Sequence, residues 1–556
     1  MNRNHLAIPI LVAGTLAGPS RPARACGCFT PPSPNVPVVQ AGERILFAVQ
    51  NSVTTAHIQI TYQGKADDFG WLVPLPAIPT LELGADEVFD ELVARTQPSY
   101  APQQVFDCNR VATASSASIG GCGDLSLESA TAKGSSDAGA AMDPDKAVVV
   151  QASLGPYDYA VLKADDKTEM LDWLARNRYY VPTGTGDAVS PYIHPGSFFL
   201  ALKLRAGEST GNLQPVVVHY NSDLPMIPIV LTSVGANPDM PIQVFILGAA
   251  RAIPRNYHHV VLNEARLDWS TGGRNYNALV TAAVAEAPKK HAFVTEYAGP
   301  TKLMRGVIDK PGRFGDLAQL RTIQDPSDYL SQLKTDGFRF ETNLFAILSK
   351  HLPEPPILVQ QGVKLDEWFR NFDFWITYLR RTAADAGAAD GGQPWEIPFD
   401  PIKCTDEIEM RVVKPLLAAA QLFRDFPQLT RMYTTLSPQD MTQDPVFGFN
   451  PDLPDVAFVH GATLRYDCNR DATLETDAGL VMEYLNGRLG VSLPPMPAAA
   501  RVEVLREAGP PMIVTDNSAL IAAAVEKNND DVLAAESERP GAKLNENTFK
   551  TGGCRV

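Results

Sequence analysis

The chain has 556 residues, 45% of them hydrophobic and 20% charged, with a formal charge of −15. Such a balance describes a globular protein of roughly two to four domains, taking about 150 residues for each, and excludes a disordered chain. A surface this acidic repels phosphate backbones and anionic lipid, so a nucleic-acid partner is not expected, and no long basic run reverses that reading.

The first element is a leader. A short charged start containing Arg3 runs into an apolar stretch from Leu6 to Gly18. A Pro/Arg segment then leads to Ala23-Arg24-Ala25 directly before Cys26-Gly27-Cys28. A basic n-region, a short apolar h-region and small residues at −3 and −1 are the layout of a secretory signal over residues 1–25. Pro9 interrupts the stretch, which is well short of the roughly 20 residues a membrane-spanning helix needs. Cleavage after Ala25 removes Arg3, Arg21 and Arg24 and takes the formal charge from −15 to −18. Cys26 would then be the first residue and is a lipidation candidate, although Ala23 and Arg24 stand where lipid-attachment sites favour Leu and a small residue. The expected location is the periplasm, the cell envelope or the exterior, with no transmembrane helix in the mature chain.

Strand patterns begin at Glu43. Ile45, Leu46, Phe47 and Val49 form an apolar run, and Val53 to Tyr62 alternates with period two, which predicts a strand with one buried face. Phe69 to Pro76 reads as a third strand ended by prolines, which cannot donate to a ladder. Asp86 is placed to cap a helix with the stripe Val88, Phe89, Leu92 and Val93. Residues 111–146 are rich in Ala, Ser, Gly and Asp and read as a surface insert. Asp166-x-x-Glu169 opens a helix carrying Met170, Leu171, Trp173 and Leu174. Strands are predicted at Phe198–Leu204, Val216–Tyr220, Ile227–Val234, Ile242–Leu247 and Tyr257–Leu262, then a helix at Tyr276–Glu286 and a strand at His291–Tyr297.

Past Gly299 the character shifts. Tyr329–Leu333, Phe340–Leu352 and Leu365–Leu379 read as helical, and Thr405 is placed to cap a helix running to Phe426 with Pro415 kinking it. The remainder is mixed, with a polar tail from Lys527. The pattern predicts an α+β fold: a largely antiparallel, sheet-rich domain over 26–300 and a more helical, mixed region over 301–556. Phe106-Asp107-Cys108-Asn109-Arg110 is echoed by Tyr466-Asp467-Cys468-Asn469-Arg470. The surrounding residues do not align, so the echo reads as coincidence and not as a repeat.

Seven cysteines remain, and disulfides are their default use in an exported chain. Sequence cannot fix connectivity. Proximity favours Cys108 with Cys122, and Cys404 with Cys468 is a second candidate pair. No C-x-x-C pair supports zinc.

The block Asp68 to Pro76, centred on Phe69, Gly70, Trp71, Pro74 and Pro76, resembles a bacterial exported family known as domain of unknown function 2330. Tyr157 to Leu162, Gly235 to Pro241 and Ala292 to Gly299 match it as well, so the resemblance covers residues 43–299. It implies export and no particular activity. Physically the block is structural: Trp71, Val73 and Leu75 fill a core, while Pro74, Pro76 and Pro79 stop the strand.

Signatures of chemistry are missing: no H-E-x-x-H, G-x-S-x-G, P-loop or G-x-G-x-x-G occurs. His57, His194, His219, His258, His259 and His291 are scattered, and each reads first as a solvated or hydrogen-bonded imidazole. His57 lies on the polar face of its strand beside Gln59. Cys28 as a nucleophile needs a partner His and a depressed pKa. The Asp67-Asp68, Asp165-Asp166 and Asp530-Asp531 pairs read as caps and solvated turns. No catalytic, cofactor-binding or metal residue is assigned and no cofactor is expected. The sequence points to an exported, non-catalytic binding or structural protein, with a metal- or cysteine-dependent hydrolase as the alternative.

Overall fold

The computed structural model describes residues 28–29, 39–40, 42–59, 62–63, 69–106, 147–177, 179, 184–205, 213–385, 399–467, 471–484 and 495–538. Its fold is α+β with large, antiparallel-rich sheets, as the pattern predicts. The leader, the 111–146 insert and Cys26, Cys108, Cys122 and Cys468 lie outside the described residues.

Ten strands form the principal sheet: β1 (Glu43–Gln50), β2 (Val53–Gln59), β3 (Thr80–Leu83), β4 (Val216–Asn221), β5 (Met240–Gly248), β6 (His258–Leu262), β7 (Ala292–Pro300), β8 (Gln428–Leu436), β9 (Ala499–Val504) and β10 (Met512–Asp516). Their order is β10-β9-β6-β7-β8-β5-β1-β2-β4-β3. The β1/β5 and β6/β7 contacts are parallel and the others antiparallel. Asn51 and Ser52 join β1 to β2 with φ of 52° and 60°. Two positive φ angles in a two-residue loop give a turn whose twist matches its strands. β8 inserts between β5 and β7, so strands from both sides of residue 300 share one sheet. The change of character near 300 therefore marks a change in element type, not a break in the sheet.

One face of this sheet, through Ile45, Phe47, Ile58 and Val244, packs on a second, five-stranded sheet carrying Trp71, Val73, Leu75 and Leu200. The far side of that smaller sheet is closed by the helix Lys167–Arg176, whose Met170, Trp173 and Leu174 meet Leu72, Leu162 and Phe199. Asp166 caps this helix by accepting from Glu169 N at 2.9 Å. The opposite face of the principal sheet, through Leu46, Phe245, Leu247 and Leu429, packs on α1 (Asp86–Thr96) and on helices between residues 301 and 425. The molecule is thus layered helix, sheet, sheet, helix, and burial of apolar area at each junction drives it.

The family block fills the middle of this arrangement. Phe69, Trp71, Leu72, Val73 and Leu75 are all at most 3% exposed. Gly70–Leu75 pairs with Phe198–Leu204 on one side and with Cys28–Phe29 on the other. Among the described residues the latter contact engages Leu72 and Trp71, and Pro74 sits inside the strand rather than ending it.

Several expectations are corrected. The polar face of β2 is not solvated: His57 is 4% exposed because the helical layer covers it. Ile227–Val234 is not a strand but holds the short helix Ile229–Thr232. Leu365–Leu379 breaks at Asn371 into Leu365–Arg370 and Phe372–Asp385. The tail from Lys527 is helical as far as Glu538, as part of Ser518–Glu538, and is tied down where Asn528 Nδ2 donates to Glu483 O at 3.0 Å. Ala85, not Asp86, occupies the N-cap of α1, which leaves the Asp86 carboxylate free for other partners.

Asp400, not Thr405, caps the helix at Pro401–Ile408, accepting from Ile402 N and Lys403 N. A π-turn at Glu409–Val413 links it to the helix Lys414–Asp425. Pro415 has no N–H for the carbonyl four residues back, at Arg411. Gln214 Nε2 donates to that carbonyl at 2.7 Å, and Gln214 Oε1 accepts from Arg411 Nε at 2.7 Å.

Candidate functional site

The pairing of four neighbouring strands writes the site. Tyr433 of β8 lies opposite Gln243 of β5, Gln243 opposite Arg44 of β1, and Arg44 opposite Gln59 of β2. Directly opposed residues share a face of a pleated sheet. The result is a polar row crossing the helix-facing side of the sheet, beside the apolar Leu46, Phe245 and Leu429.

β7 extends the row irregularly. Its register against β8 shifts between Thr295 and Tyr297, and Glu296 is the extra residue of the bulge. Bulges re-aim side chains. Glu296 is 3% exposed, with Oε2 2.5 Å from Nε of Arg431, itself 2% exposed. Oε1 accepts from the Tyr276 hydroxyl at 2.7 Å. Burial pushes the Glu296 carboxyl up, and the Arg431 guanidinium opposes that push. Arg431 Nη1 donates to Thr96 Oγ1 at 3.2 Å, and the guanidinium carbon lies 5.6 Å from the Phe245 ring centre.

A cavity of about 790 Å³ opens above the row. Its walls are the C-terminal end of α1, the 272–274 loop, and the start of α2 (Tyr276–Ala285). Asn275 pins that loop, accepting from Asp268 N and donating to Arg266 O, both at 2.8 Å. Gly273 has φ of 75°, and a Cβ there would stand 2.9 Å from the Tyr100 ring. Glycine lets the loop close against that ring. Tyr100, Tyr276 and Tyr433 form an aromatic series, with centroids 5.7 Å apart for the first pair and 6.4 Å for the second. Burial raises the pKa of all three, that of Tyr433 to about 12, so each stays a neutral phenol at ordinary pH.

The Gln243 side chain lines the cavity, and its Oε1 is buried with no hydrogen-bond donor among the described residues. Gln59 leads onward: it accepts from Arg44 Nη1 at 3.3 Å and donates to Asp86 Oδ1 at 2.8 Å. Asn343 Nδ2 holds the other Asp86 oxygen at 2.8 Å. Here a second cavity, about 210 Å³, is lined by Asp86, Asp90, Arg339 and Glu341. Burial raises all three carboxyl groups, against the hydrogen bonds at Asp86 and the nearby arginines.

The six histidines do not come together at one site. His57 is drawn down to about 3 by burial and then by His219. His219 Nδ1 lies 2.9 Å from Thr55 Oγ1. His259 Nδ1 meets Glu503 Oε2 at 3.2 Å, His291 Nε2 meets Asp440 O at 3.0 Å, and His258 Nδ1 lies 3.3 Å from His291 O. His194 contacts Ser197. Among the described residues no group of three or more His, Cys, Asp or Glu side chains could hold a metal ion. Cys404 carries a free, buried thiol, pushed up to about 12 by burial. Of the carboxylate pairs, Asp166 is a cap and Asp531 pairs with Lys527 on a helix surface. Asp67 and Asp68 lie outside the described residues.

The cavity residues escaped the sequence reading. One signal was available: Gln243 and Glu296 interrupt the apolar runs Ile242–Leu247 and Ala292–Ala298. A polar residue inside a buried strand costs stability unless something meets it.

A family model described as uncharacterized protein conserved in bacteria matches residues 22–337. That span holds Arg44, Gln59, Gln243 and Glu296, while Arg431 and Tyr433 lie beyond it. No curated protein and no solved structure matches the chain.

Proposed function

The chain belongs to the DUF2330 family of uncharacterized bacterial proteins, and from that premise we propose that it is an exported, non-catalytic binding protein whose sheet-face cavity takes a small polar molecule. The volume of about 790 Å³ falls within the range of roughly 300–1,000 Å³ of small-molecule sites. One observation carries the reading: the guanidinium of Arg44, the amides of Gln59 and Gln243 and the phenol of Tyr433 stand in one row across neighbouring strands, and all four residues line this cavity. Convergent polar groups in a concave site offer fixed hydrogen-bonding partners to a polar ligand. Export rests on the leader at residues 1–25.

The charged groups of the floor are occupied with each other. Glu296 is engaged by Arg431 and Tyr276, which suits a rigid, pre-set surface better than a proton-transfer site. The test is a thermal-shift screen of the mature chain against polar metabolites, run beside Gln243→Leu. A ligand that raises the melting temperature of the native chain and not of the variant supports the reading. Equal shifts in both, or no ligand at all, contradict it.

A further inference from the structure

From the lining of this same cavity we infer the class of its ligand: an acidic saccharide, meaning a chain of hydroxylated sugar rings that carries carboxylate. The inference rests on the binding reading above and adds three independent features.

The first is the kind of polar group present. Gln59, Gln97, Gln243 and Asn277 all line the cavity. A side-chain amide both donates and accepts. So does a sugar hydroxyl, and neighbouring hydroxyls can engage amide oxygen and amide N–H together.

Aromatic surface is the second. Tyr100, Tyr276 and Tyr433 line the cavity as neutral phenols. Flat rings pack against the C–H faces of pyranose rings, and phenol hydroxyls bond at their edges.

The third is charge. Arg44, Arg274 and Arg431 face Glu43 and Glu296, a formal excess of one positive charge in the wall of a chain whose total is −15. Arg431 is engaged with Glu296, and Arg274 is exposed at the loop, so the excess sits toward the opening. Local positive potential in an acidic protein draws an anionic ligand to that opening and selects against a cationic one. The volume of about 790 Å³ leaves room for more than one ring.

The experiment is calorimetric titration of the mature chain with trimers of galacturonate, glucuronate and mannuronate, with maltotriose as a neutral trimer and citrate as a carboxylate without a sugar. The expected result is that at least one uronate trimer binds about tenfold or more tightly than maltotriose. Arg274→Met should remove most of that preference, and Gln243→Leu should weaken uronate and maltotriose alike by about tenfold, the size of one lost hydrogen bond. Retained circular dichroism and melting of both variants verify folding. Maltotriose binding as tightly as every uronate overturns the acidic part. Citrate or another polar metabolite binding through Gln243 while all saccharides fail overturns the ligand class and leaves the binding reading standing. Failure of every compound, including the metabolite screen, overturns both.

Discussion

Glu296 and Arg431 meet across β7 and β8 at 2.5 Å, each at most 3% exposed, because a bulge swings Glu296 out of register and over its neighbour. The pair lies in the floor of the larger cavity. Two opposite charges taken out of water are stable there only as long as both remain.

Arg431→Met should therefore destabilise the protein by about 3–5 kcal/mol, by leaving a buried carboxyl without its counter-charge. Urea unfolding measures it. Glu296→Gln in the same background should recover part of the loss, since the uncompensated charge is then gone. A double variant as unstable as the single one contradicts the pairing.

Acid should weaken the fold through His57. Its folded pKa is about 3 against an ordinary 6.5. Between these values the unfolded chain binds the proton and the folded chain does not. Stability is thus fully present above about pH 6.5 and falls as the pH drops toward 3. His57→Leu should flatten that part of the profile, as read from urea midpoints at a series of pH values. An unchanged slope sinks the assignment.

The family block is expected to act in the core and not at the site. Trp71 is 3% exposed and belongs to the cluster between the two sheets. Trp71→Ala should cost about 3–5 kcal/mol. At a temperature where the variant remains folded, its ligand affinity should match that of the native chain.

Export has its own check. Mass spectrometry of protein from the cell envelope should find a chain beginning at Cys26. A non-reducing peptide map should leave Cys404 alkylatable on unfolding, since its thiol is free and buried. Phe106 and Tyr466 stack with centroids 5.0 Å apart, at matched positions of two parallel strands, Gln103–Phe106 and Ala462–Tyr466. Outside the cytosol the cysteines near Cys108 are expected in disulfides, with Cys108–Cys122 the candidate pair that proximity favours. Recovery of Cys404 linked to Cys468 contradicts the free thiol.

Much of the fold was legible because local pattern and tertiary environment agree there. Phe198–Leu204 has the predicted bounds, and Asp166 caps its helix as its spacing with Glu169 indicates. Legibility failed where a distant layer overrides the local pattern. β2 alternates as if half-exposed, yet His57 on its polar face is only 4% exposed. Ile227–Val234 is apolar and β-branched, yet it turns into a short helix, since a short apolar run fits either state. The site was the least legible part. Its row draws on strands from residue 43 to residue 436, β8 enters the sheet between two strands far earlier in the chain, and a bulge leaves no periodic trace.

The most direct measurement pairs stability with binding in Gln243→Leu. Removing a buried, donorless acceptor together with the rest of a side chain from a cavity-lining residue should leave the unliganded melting temperature unchanged or raise it, while the shift produced by the ligand disappears. A variant that melts lower yet keeps the full ligand-induced shift would show that Gln243 holds the sheet together and that the cavity is not the binding site.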